Sequence, residues 1–167
     1  DELLYAERRI QQMPVGGDMA FDGSILRNAA LFSGLEKAAL DRLAQYSRRI
    51  SLEKGQQLFE LGDPSDGCYT ILDGVLKISV PLSDGKETLL NIMGAGEVIG
   101  EIGLVDTQPR SAAATALKPS SVAFLPAREF RHVADSNPDI YVHMLQILCD
   151  RVRTSTEAAA MQTTLPL

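Results

Sequence analysis

Most of the residues that could bind a charged ligand lie in one short segment, residues 98–113. Gly100 and Gly103 flank Glu101, and a turn of helix beginning there would point backbone N–H groups at an anion that glycine lets approach closely. Nine residues after Glu101 comes Arg110, whose planar guanidinium suits bidentate contact with phosphate oxygens, and Ser111 can donate one more hydrogen bond. Glu101 can accept from a nearby hydroxyl, as acidic residues bind ribose hydroxyls elsewhere. A phosphate with an adjacent sugar hydroxyl indicates a nucleotide.

The same two charged residues have a simpler interpretation. Glu101 and Arg110 can pair with each other as an ion pair on the surface, a common arrangement that contributes little to stability. The two residue types and their spacing leave the nucleotide site and the surface ion pair as alternatives. The residues around them, and a second motif upstream, favour the nucleotide site.

The segment resembles the phosphate-binding cassette of cyclic nucleotide-binding domains, the superfamily of the bacterial catabolite activator protein and the regulatory subunits of protein kinase A. That cassette reads Gly-Glu-apolar-small-Leu, a short variable stretch, and then Arg-small-Ala. The matching residues here are Gly100-Glu101-Ile102-Gly103-Leu104 and Pro109-Arg110-Ser111-Ala112. Two further family motifs match Gly62-Asp63, Asp66, Tyr69-Thr70-Ile71 and Gly74 upstream, and Asn137-Pro138-Asp139-Ile140 downstream. The resemblance covers roughly residues 31–157.

The resemblance implies a role for each matched residue. Arg110 would pair with the cyclic phosphate, with Ser111 and the backbone between Gly100 and Ala112 assisting. Glu101 would accept from the ribose 2′-hydroxyl, which lets the family reject deoxyribose ligands. The ligand-binding residues expected from the sequence are Gly100, Glu101, Ile102, Gly103, Arg110, Ser111, Ala112, Ser155 and Thr156. We expect no catalytic residue and no metal ligand.

The expected base preference depends on hydroxyl residues. In kinase-type domains of the family a Thr directly after the arginine favours guanine, whereas the bacterial cyclic AMP regulators have Ser, as here at Ser111. In those regulators two hydroxyl residues on the long helix touch the adenine amino group, and Ser155 and Thr156 are at the matching places. The alternative is that both are solvated residues near a fraying helix end. We expect cyclic AMP rather than cyclic GMP as the ligand, and no further cofactor.

A β-rich core must position these residues. Leu76, Ile78, Val80 and Leu82 alternate with Lys77, Ser79 and Pro81, which predicts a strand with one buried face. Asp84-Gly85 predicts a type I′ turn between this strand and residues 87–93. Short strands separated by glycine-rich turns indicate a mainly β fold with flanking helices. We predict a β-roll or jelly-roll barrel (double-stranded β-helix) with N-terminal helices and a long C-terminal helix.

Helices are predicted on both sides of this core. Ser33 and Glu36 have capping-box spacing, which predicts a helix to about residue 48. Pro126 suits the first position of a short helix over 127–133, and Asn137 suits the N-cap of a long helix to about residue 160. The long helix has two apolar stripes, Ile140-Met144-Ile147 and Tyr141-Leu145-Leu148-Val152. Because one stripe can pack on the barrel, the other predicts a homodimer through this helix.

The first 13 residues predict a separate amphipathic helix. Leu3, Ala6, Ile10 and Met13 recur at helical spacing, and residues 14–17 end the pattern with Pro and Gly. Packing on its own domain, a dimer contact and a connection to an upstream region all remain open for this helix. We predict three parts: residues 1–20 as this helix and a linker, 21–136 as the cyclic nucleotide-binding β-roll with its helices, and 137–167 as the long helix with a short tail.

Composition excludes several classes of protein. A net charge of −6 and a pI near 4.9 give no basic footprint for nucleic acid. No stretch approaches the roughly 18–20 apolar residues of a membrane helix, and the start lacks the layout of a signal peptide. Cys68 and Cys149 form no CxxC pair, and only two histidines accompany them. We expect two buried free thiols, no metal site and a cytoplasmic location.

These observations predict a sensor rather than an enzyme. A cupin-type metalloenzyme needs histidines on its strands, but both histidines lie in the helical tail, and no catalytic triad stands out. Only residues 161–167 follow the long helix, too few for a helix-turn-helix, so DNA binding by this chain is not expected. We predict a cyclic nucleotide-binding regulatory domain that couples cyclic AMP to movement of the C-terminal helix. The alternatives are the sensor half of a larger regulator, with a helix-turn-helix or an upstream effector module, and a degenerate, ligand-free dimerisation domain.

Overall fold

The structure is a computed structural model that describes residues 23–162. Within that range it has two 3-10 helices, Gly23–Asn28 and Ala30–Phe32, followed by four α-helices. The α-helices are α1 (Lys37–Tyr46), α2 (Ile102–Asp106), α3 (Ala127–Ser136) and α4 (Asp139–Gln162). The predicted N-terminal helix over residues 1–13 and the tail over 163–167 lie outside the described residues.

Two antiparallel sheets form the centre of the fold. Their strands are β1 (Arg48–Leu52), β2 (Gln57–Phe59), β3 (Gly67–Asp73), β4 (Val75–Pro81), β5 (Glu87–Gly94), β6 (Val98–Ile99), β7 (Ala113–Ala116) and β8 (Ser120–Pro126). One sheet has the order β1-β8-β3-β6 and the other β2-β7-β4-β5. The predicted mainly β fold with flanking helices and a long C-terminal helix is confirmed. The sheets do not close into a barrel, because in the described range each keeps two edge strands.

The β4–β5 hairpin differs from the predicted type I′ turn. That turn needs a positive φ at both central residues, but among residues 23–162 Thr107 is the one non-glycine residue with a positive φ. Gly85 (φ +80°) donates to the Leu82 carbonyl over 3.2 Å, and the Leu82 N–H donates to the Lys86 carbonyl over 2.7 Å. The loop therefore has three residues with glycine in the left-handed position. Leu82, predicted to be buried, lies outside the strand and is exposed.

Two predicted helix caps do not form. α1 begins directly after Glu36, whose side chain makes no capping bond. The Ser33 hydroxyl instead donates to the Ala30 carbonyl over 2.9 Å, and the Ser33 N–H donates to the same carbonyl over 3.4 Å. Asn137 donates its side-chain amide to the Val133 carbonyl over 2.9 Å, so it closes the end of α3. Both side chains therefore donate to carbonyls at the end of the preceding helix and do not cap the start of the following one.

The core has two layers. One apolar cluster joins the 3-10 helices, α1, α3 and α4 to the outer face of the β1-β8-β3-β6 sheet, and the other lies between the two sheets. Strand β8 serves both, because Val122 and Phe124 face one cluster while Ala123 and Leu125 face the other. The first stripe of α4 packs on this core as predicted, since Ile140 and Met144 are buried. Three residues of the second stripe, Tyr141, Leu145 and Val152, are exposed.

The two cysteines have different environments. Cys68 is buried in the helical cluster, and burial raises the pKa of its thiol to about 12. Cys149 is exposed on α4, so the prediction of two buried thiols is wrong for this residue. Within residues 23–162 no cluster of three His, Cys, Asp or Glu side chains could hold a metal ion. No helix in the same range is long and apolar enough to cross a bilayer.

Gly74, between β3 and β4, is expected to be a strong determinant of stability. It has a φ of +100°, and a β-carbon there would lie 2.6 Å from the Cα of Ser120. We expect Gly74→Ala to lower the free energy of unfolding by about 3 kcal/mol, from left-handed strain plus the clash. Gly55 has a similar φ of +83° but nothing near its β-carbon position, so Gly55→Ala should cost only about 1 kcal/mol. Urea unfolding of both variants measures the difference, and equal losses would contradict it.

Candidate functional site

The cassette and the upstream motif are joined through the backbone of Arg110. The Arg110 N–H donates to the Asp63 carbonyl over 2.7 Å, and the Gly62 N–H donates to the Arg110 carbonyl over 2.8 Å. The Ser65 hydroxyl adds a bond of 2.7 Å to the Gln108 carbonyl. The turn before β3 therefore holds the loop that follows α2, which explains why the two motifs occur together.

The guanidinium of Arg110 is buried and held on several sides, with 3% of the side chain exposed. Its Nη1 donates to the Gly100 carbonyl over 3.0 Å, and its Nη2 donates to Asp66 Oδ1 over 2.9 Å and to the Gly67 carbonyl over 2.8 Å. The group also lies 4.6 Å from the ring centre of Phe59, a cation–π distance. These contacts fix the plane of the guanidinium in advance of any ligand.

Gly100 is required by the same arrangement. Its φ of +78° is in the left-handed region, and a β-carbon would collide with Arg110 Nη1. Gly103 is likewise tight, because a β-carbon there would collide with the Ser65 side chain. The two glycines of the cassette therefore let the backbone approach the arginine and the upstream turn.

Glu101 is buried at the start of α2 and pairs with a residue from the long helix. Its Oε1 forms an ion pair with Nη1 of Arg151 on α4, and Nη2 of Arg151 donates to the Val98 carbonyl over 2.7 Å. Only 2% of the Glu101 side chain is exposed, compared with 29% for Arg151. The ion pair therefore connects the cassette directly to the C-terminal helix.

Each of the two charged side chains has one buried polar atom without a hydrogen-bond partner. These atoms are Glu101 Oε2 and Arg110 Nε. Burial raises the pKa of Glu101, with Arg151 and Arg110 acting in the opposite direction, and burial also raises the pKa of Asp66 against the effect of Arg110. Glu101 and Arg110 pair with Arg151 and Asp66 rather than with each other. The interpretation as a surface ion pair is therefore wrong.

The other predicted cassette residues differ in their exposure. Gly103 and Ala112 are buried, whereas Ile102 and Ser111 are exposed. Ser111 follows Arg110 directly in the sequence and is exposed, two residues before β7 begins. The cassette therefore combines the fixed guanidinium of Arg110 with an exposed serine at the next position in the sequence.

Ser155 and Thr156 are found at a different place. They line a groove of about 700 Å³ between α2 and the second half of α4, together with residues such as Ile102 and Val105. Arg110 is not among the residues that line this groove. The Thr156 hydroxyl donates to the Val152 carbonyl of its own helix over 2.9 Å. The structure therefore places these two hydroxyl residues on the surface of the groove beside α2, whereas the guanidinium of Arg110 is buried.

Arg151 is the residue at this site that sequence reasoning did not include. Its signal is present, because Ile140, Met144, Ile147 and Arg151 continue one helical stripe at spacings of four, three and four. An arginine on a stripe that is otherwise buried needs an acidic partner, and Glu101 is buried near it. Asp66 was part of the upstream motif, but its ion pair with Arg110 was not predicted.

Glu101 gives the native state a characteristic pH dependence. Burial raises the pKa of its carboxyl above the ordinary value of 4.5. Such a group stabilises the native state below its ordinary pKa, and this contribution is lost as the pH rises through the native pKa. We expect the wild-type melting temperature to fall relative to that of Glu101→Gln between about pH 4.5 and neutrality. The exposed Glu157→Gln serves as the control, and parallel profiles for all three proteins would contradict the expectation.

The chain is a two-sheet β-roll in which the buried Glu101 precedes the short helix α2 and the buried Arg110 follows it. The long helix α4 contacts Glu101 through Arg151. The sequence profile described as "Cyclic nucleotide-binding domain" matches residues 49–137, more than half of the chain. The chain belongs to the cyclic nucleotide-binding domain family. The match begins in β1 and ends after α3, so it includes both sheets and the cassette.

Individual proteins similar to this chain include a bacterial transcriptional regulator and two proteins of known structure. The chain is 30% identical over 136 residues to a CRP-like cAMP-activated global transcriptional regulator of Mycobacterium tuberculosis. The aligned region covers 81% of this chain and 61% of that protein. A cyclic nucleotide-binding domain from Methylobacillus flagellatus superposes with a TM-score of 0.72 at 25% identity, over 87% of this chain and 84% of that one. The catabolite activator protein of Thermus thermophilus gives 0.71 at 25% identity, over 80% and 63%. The chain thus spans about three fifths of the curated regulator it matches.

Proposed function

We propose that this chain binds a purine nucleoside 3′,5′-cyclic monophosphate, cyclic AMP in preference to cyclic GMP, and that binding changes the position of α4. The observation that carries the proposal is the pair of buried, oppositely charged side chains that each keep one unpartnered polar atom, Glu101 Oε2 and Arg110 Nε. A buried polar atom without a partner costs free energy, so a ligand that supplies both partners is favoured.

Arg110 supports the phosphate half of the ligand. Its guanidinium is already oriented by Asp66, Gly67 and Gly100, so binding an anion does not require it to lose side-chain freedom. The adjacent Ser111 hydroxyl is exposed and can donate to a second phosphate oxygen. The Asp66 carboxylate already pairs with Nη2 of Arg110 and partly neutralises the guanidinium. A cyclic phosphate carries a single negative charge and therefore matches the site better than a doubly charged phosphate monoester.

Glu101 supports the ribose half. Oε1 is used by Arg151, and Oε2 is the acceptor that remains. A 2′-hydroxyl can donate to this oxygen, whereas a 2′-deoxyribose cannot. Glu101 is joined to Arg110 through the carbonyl of the preceding Gly100, which accepts from Nη1. The two ligand groups must therefore be close neighbours, as the ribose and the cyclic phosphate of one nucleotide are.

The preference for adenine rests on fewer observations. Ser111 occupies the position after the arginine that the bacterial cyclic AMP regulators also fill with Ser. The Mycobacterium tuberculosis relative is described as cAMP-activated. Ser155 and Thr156 would contact the adenine only if α4 turned or shifted on binding, since they now line the groove with α2. We therefore propose that binding is accompanied by such a movement of α4.

Arg151 supplies the connection between the ligand and the helix. It donates from α4 both to Glu101 and to the carbonyl of Val98. A ligand that bonds to the other oxygen of Glu101 changes the strength of this ion pair, and with it the position of α4. The exposed Tyr141, Leu145 and Val152 on α4 favour a second copy of the chain as the partner that responds, and thus a homodimer. In a longer regulator the same movement would reach an output domain.

Calorimetric titration of the purified chain tests the proposal. Cyclic AMP should bind more tightly than cyclic GMP, and 2′-deoxy cyclic AMP and 5′-AMP should bind much more weakly than either. Exposed Arg153→Ala is the matched control for Arg151→Ala on the same helix, and only the latter should weaken binding. No heat with any of these nucleotides, in protein whose circular dichroism shows it to be folded, would contradict the proposal and favour the ligand-free dimerisation domain.

A further inference from the structure

The guanidinium of Arg110 lies over the ring of Phe59, the last residue of β2. Cζ of Arg110 is 4.6 Å from the centre of this ring and 5.6 Å from the ring centre of Tyr69 on β3. Phe59 is 7% exposed and the Arg110 side chain 3%, so the contact is shielded from water. A cation–π contact is stronger in such surroundings than on the surface. The buried cation therefore has an aromatic neighbour in addition to its hydrogen-bond acceptors.

A β-bulge in β2 directs Phe59 to this position. Two steps along β2, from Gln57 to Phe59, match one step along β7. Strict alternation would place Leu58 and Phe59 on opposite faces of the sheet, but both are buried in the apolar cluster between the two sheets. Bulges change the direction of a side chain and occur often beside functional sites. The bulge therefore brings the Phe59 ring to the same layer as Leu58, where it meets Arg110.

The chain that leaves β2 also holds the backbone of Arg110. Glu60 follows Phe59 directly, and its N–H donates to Asp63 Oδ2 over 2.8 Å. The Asp63 carbonyl accepts from the Arg110 N–H over 2.7 Å, and the Gly62 N–H donates to the Arg110 carbonyl over 2.8 Å. The end of β2 and the turn after it therefore constrain both the backbone and the guanidinium of Arg110.

These contacts leave few donors for a ligand. A guanidinium has five N–H donors, and here Nη1 donates to the Gly100 carbonyl while Nη2 donates to Asp66 and to the Gly67 carbonyl. Nε has no hydrogen-bond partner among residues 23–162. Rotation of the group about its Cδ–Nε bond would change the direction of the Nε–H bond. A contact that prevents this rotation in advance therefore favours the binding of an anion at Nε.

We propose that Phe59 is a positioning residue of the anion site, because its ring fixes the orientation of the Arg110 guanidinium before a phosphate binds. An aliphatic side chain would fill much of the same space but would offer the cation no aromatic face. The affinity for the ligand then depends on this ring through Arg110, without a contact between the ring and the ligand. The inference rests on the proposed function, since it concerns the arginine proposed to bind the phosphate.

Phe124 on β8 provides a matched control. The ring of Tyr69 lies between the two phenylalanines, 5.7 Å from Phe59 and 5.0 Å from Phe124 between ring centres. Phe124 is 2% exposed and belongs to the same apolar cluster, but the guanidinium near its ring is that of Arg48, at 5.9 Å. Replacement by leucine removes a buried ring at either position and should lower the stability in both cases. Only the change at Phe59 removes the contact with Arg110.

NMR relaxation of the Arg110 Nε–H group tests the orientation without any nucleotide. Its resonance is identified by its loss in Arg110→Lys. The order parameter should exceed about 0.8 in the wild type, in Phe59→Tyr, which keeps the ring, and in Phe124→Leu, and it should fall below about 0.6 in Phe59→Leu. In calorimetric titrations with cyclic AMP, Phe59→Leu should lose roughly 3- to 30-fold in affinity and the other two variants less than about two-fold.

Three results would overturn the inference. An unchanged order parameter in Phe59→Leu would mean that the hydrogen bonds alone orient the guanidinium. Equal losses of affinity in Phe59→Leu and Phe124→Leu would mean that both rings act only through stability. A loss of affinity in Phe59→Leu that Phe59→Tyr does not restore would mean that the aromatic face is not what matters. If the wild type binds no cyclic AMP, the proposed function fails, whereas the order parameters still decide whether Phe59 positions Arg110.

Discussion

Replacing Arg110 with alanine is expected to reduce the affinity for cyclic AMP by roughly 30-fold to several thousand-fold, which corresponds to about 2–5 kcal/mol. The guanidinium is 3% exposed and oriented by three hydrogen bonds and an aromatic ring, so its interaction with a phosphate is desolvated and preorganised. Arg110→Lys should lose nearly as much, because an ammonium cannot reproduce the planar contacts to Gly100, Gly67 and a phosphate at once. Calorimetric titration of the three proteins measures the effect.

The control must separate binding from folding. Without Arg110, Asp66 loses its ion-pair partner, so the alanine variant is expected to be less stable. Arg110→Ala combined with Asp66→Asn removes both charges and should recover stability without recovering affinity. Recovery of nucleotide binding in the double variant would mean that Arg110 supports the fold and does not contact the ligand. Arg131→Ala, on α3, is the neutral comparison.

Glu101→Gln is expected to reduce the discrimination between ribose and deoxyribose. Wild-type protein should prefer cyclic AMP to its 2′-deoxy analogue by roughly 10- to 150-fold, the value of a hydrogen bond to a charged acceptor of about 1.5–3 kcal/mol. In the variant a neutral amide takes the place of the carboxylate whose Oε2 has no partner in the described structure. An amide can still form a neutral hydrogen bond with the 2′-hydroxyl, so the preference should fall to roughly 2- to 10-fold. Competition titrations with both nucleotides give the ratio directly.

Arg151 allows the same contact to be tested from the side of the helix. Arg151→Ala leaves Glu101 buried without its ion-pair partner, so binding should weaken for both nucleotides while the ratio between them is kept. The Glu101→Gln, Arg151→Ala double variant should cost less than the sum of the two single changes, because the residues are in contact. If the losses of affinity were additive, the ion pair would not couple ligand binding to α4.

Local features of the fold were predictable, and features that depend on distant residues were not. The alternation of Leu76 and Ile78 was sufficient to identify β4, but it stops at a register shift between Ile78 and Ser79 that depends on pairing with β5. The capping residues Ser33 and Asn137 were assigned to the wrong helix ends. Their side chains can serve the helix before or after them, and the positions of the neighbouring carbonyls decide which.

The residues of the cassette could be identified from their local requirements: Gly100 must be glycine to adopt its positive φ and to admit the guanidinium of Arg110. The ion-pair partners of the charged side chains depend instead on long-range packing. Arg110 pairs with Asp66, 44 positions away, and Glu101 pairs with Arg151, 50 positions away. The distance between such residues depends on how the sheets and α4 pack, which no local spacing encodes. For the same reason counting along a helix did not show that Ser155 and Thr156 line a groove with α2.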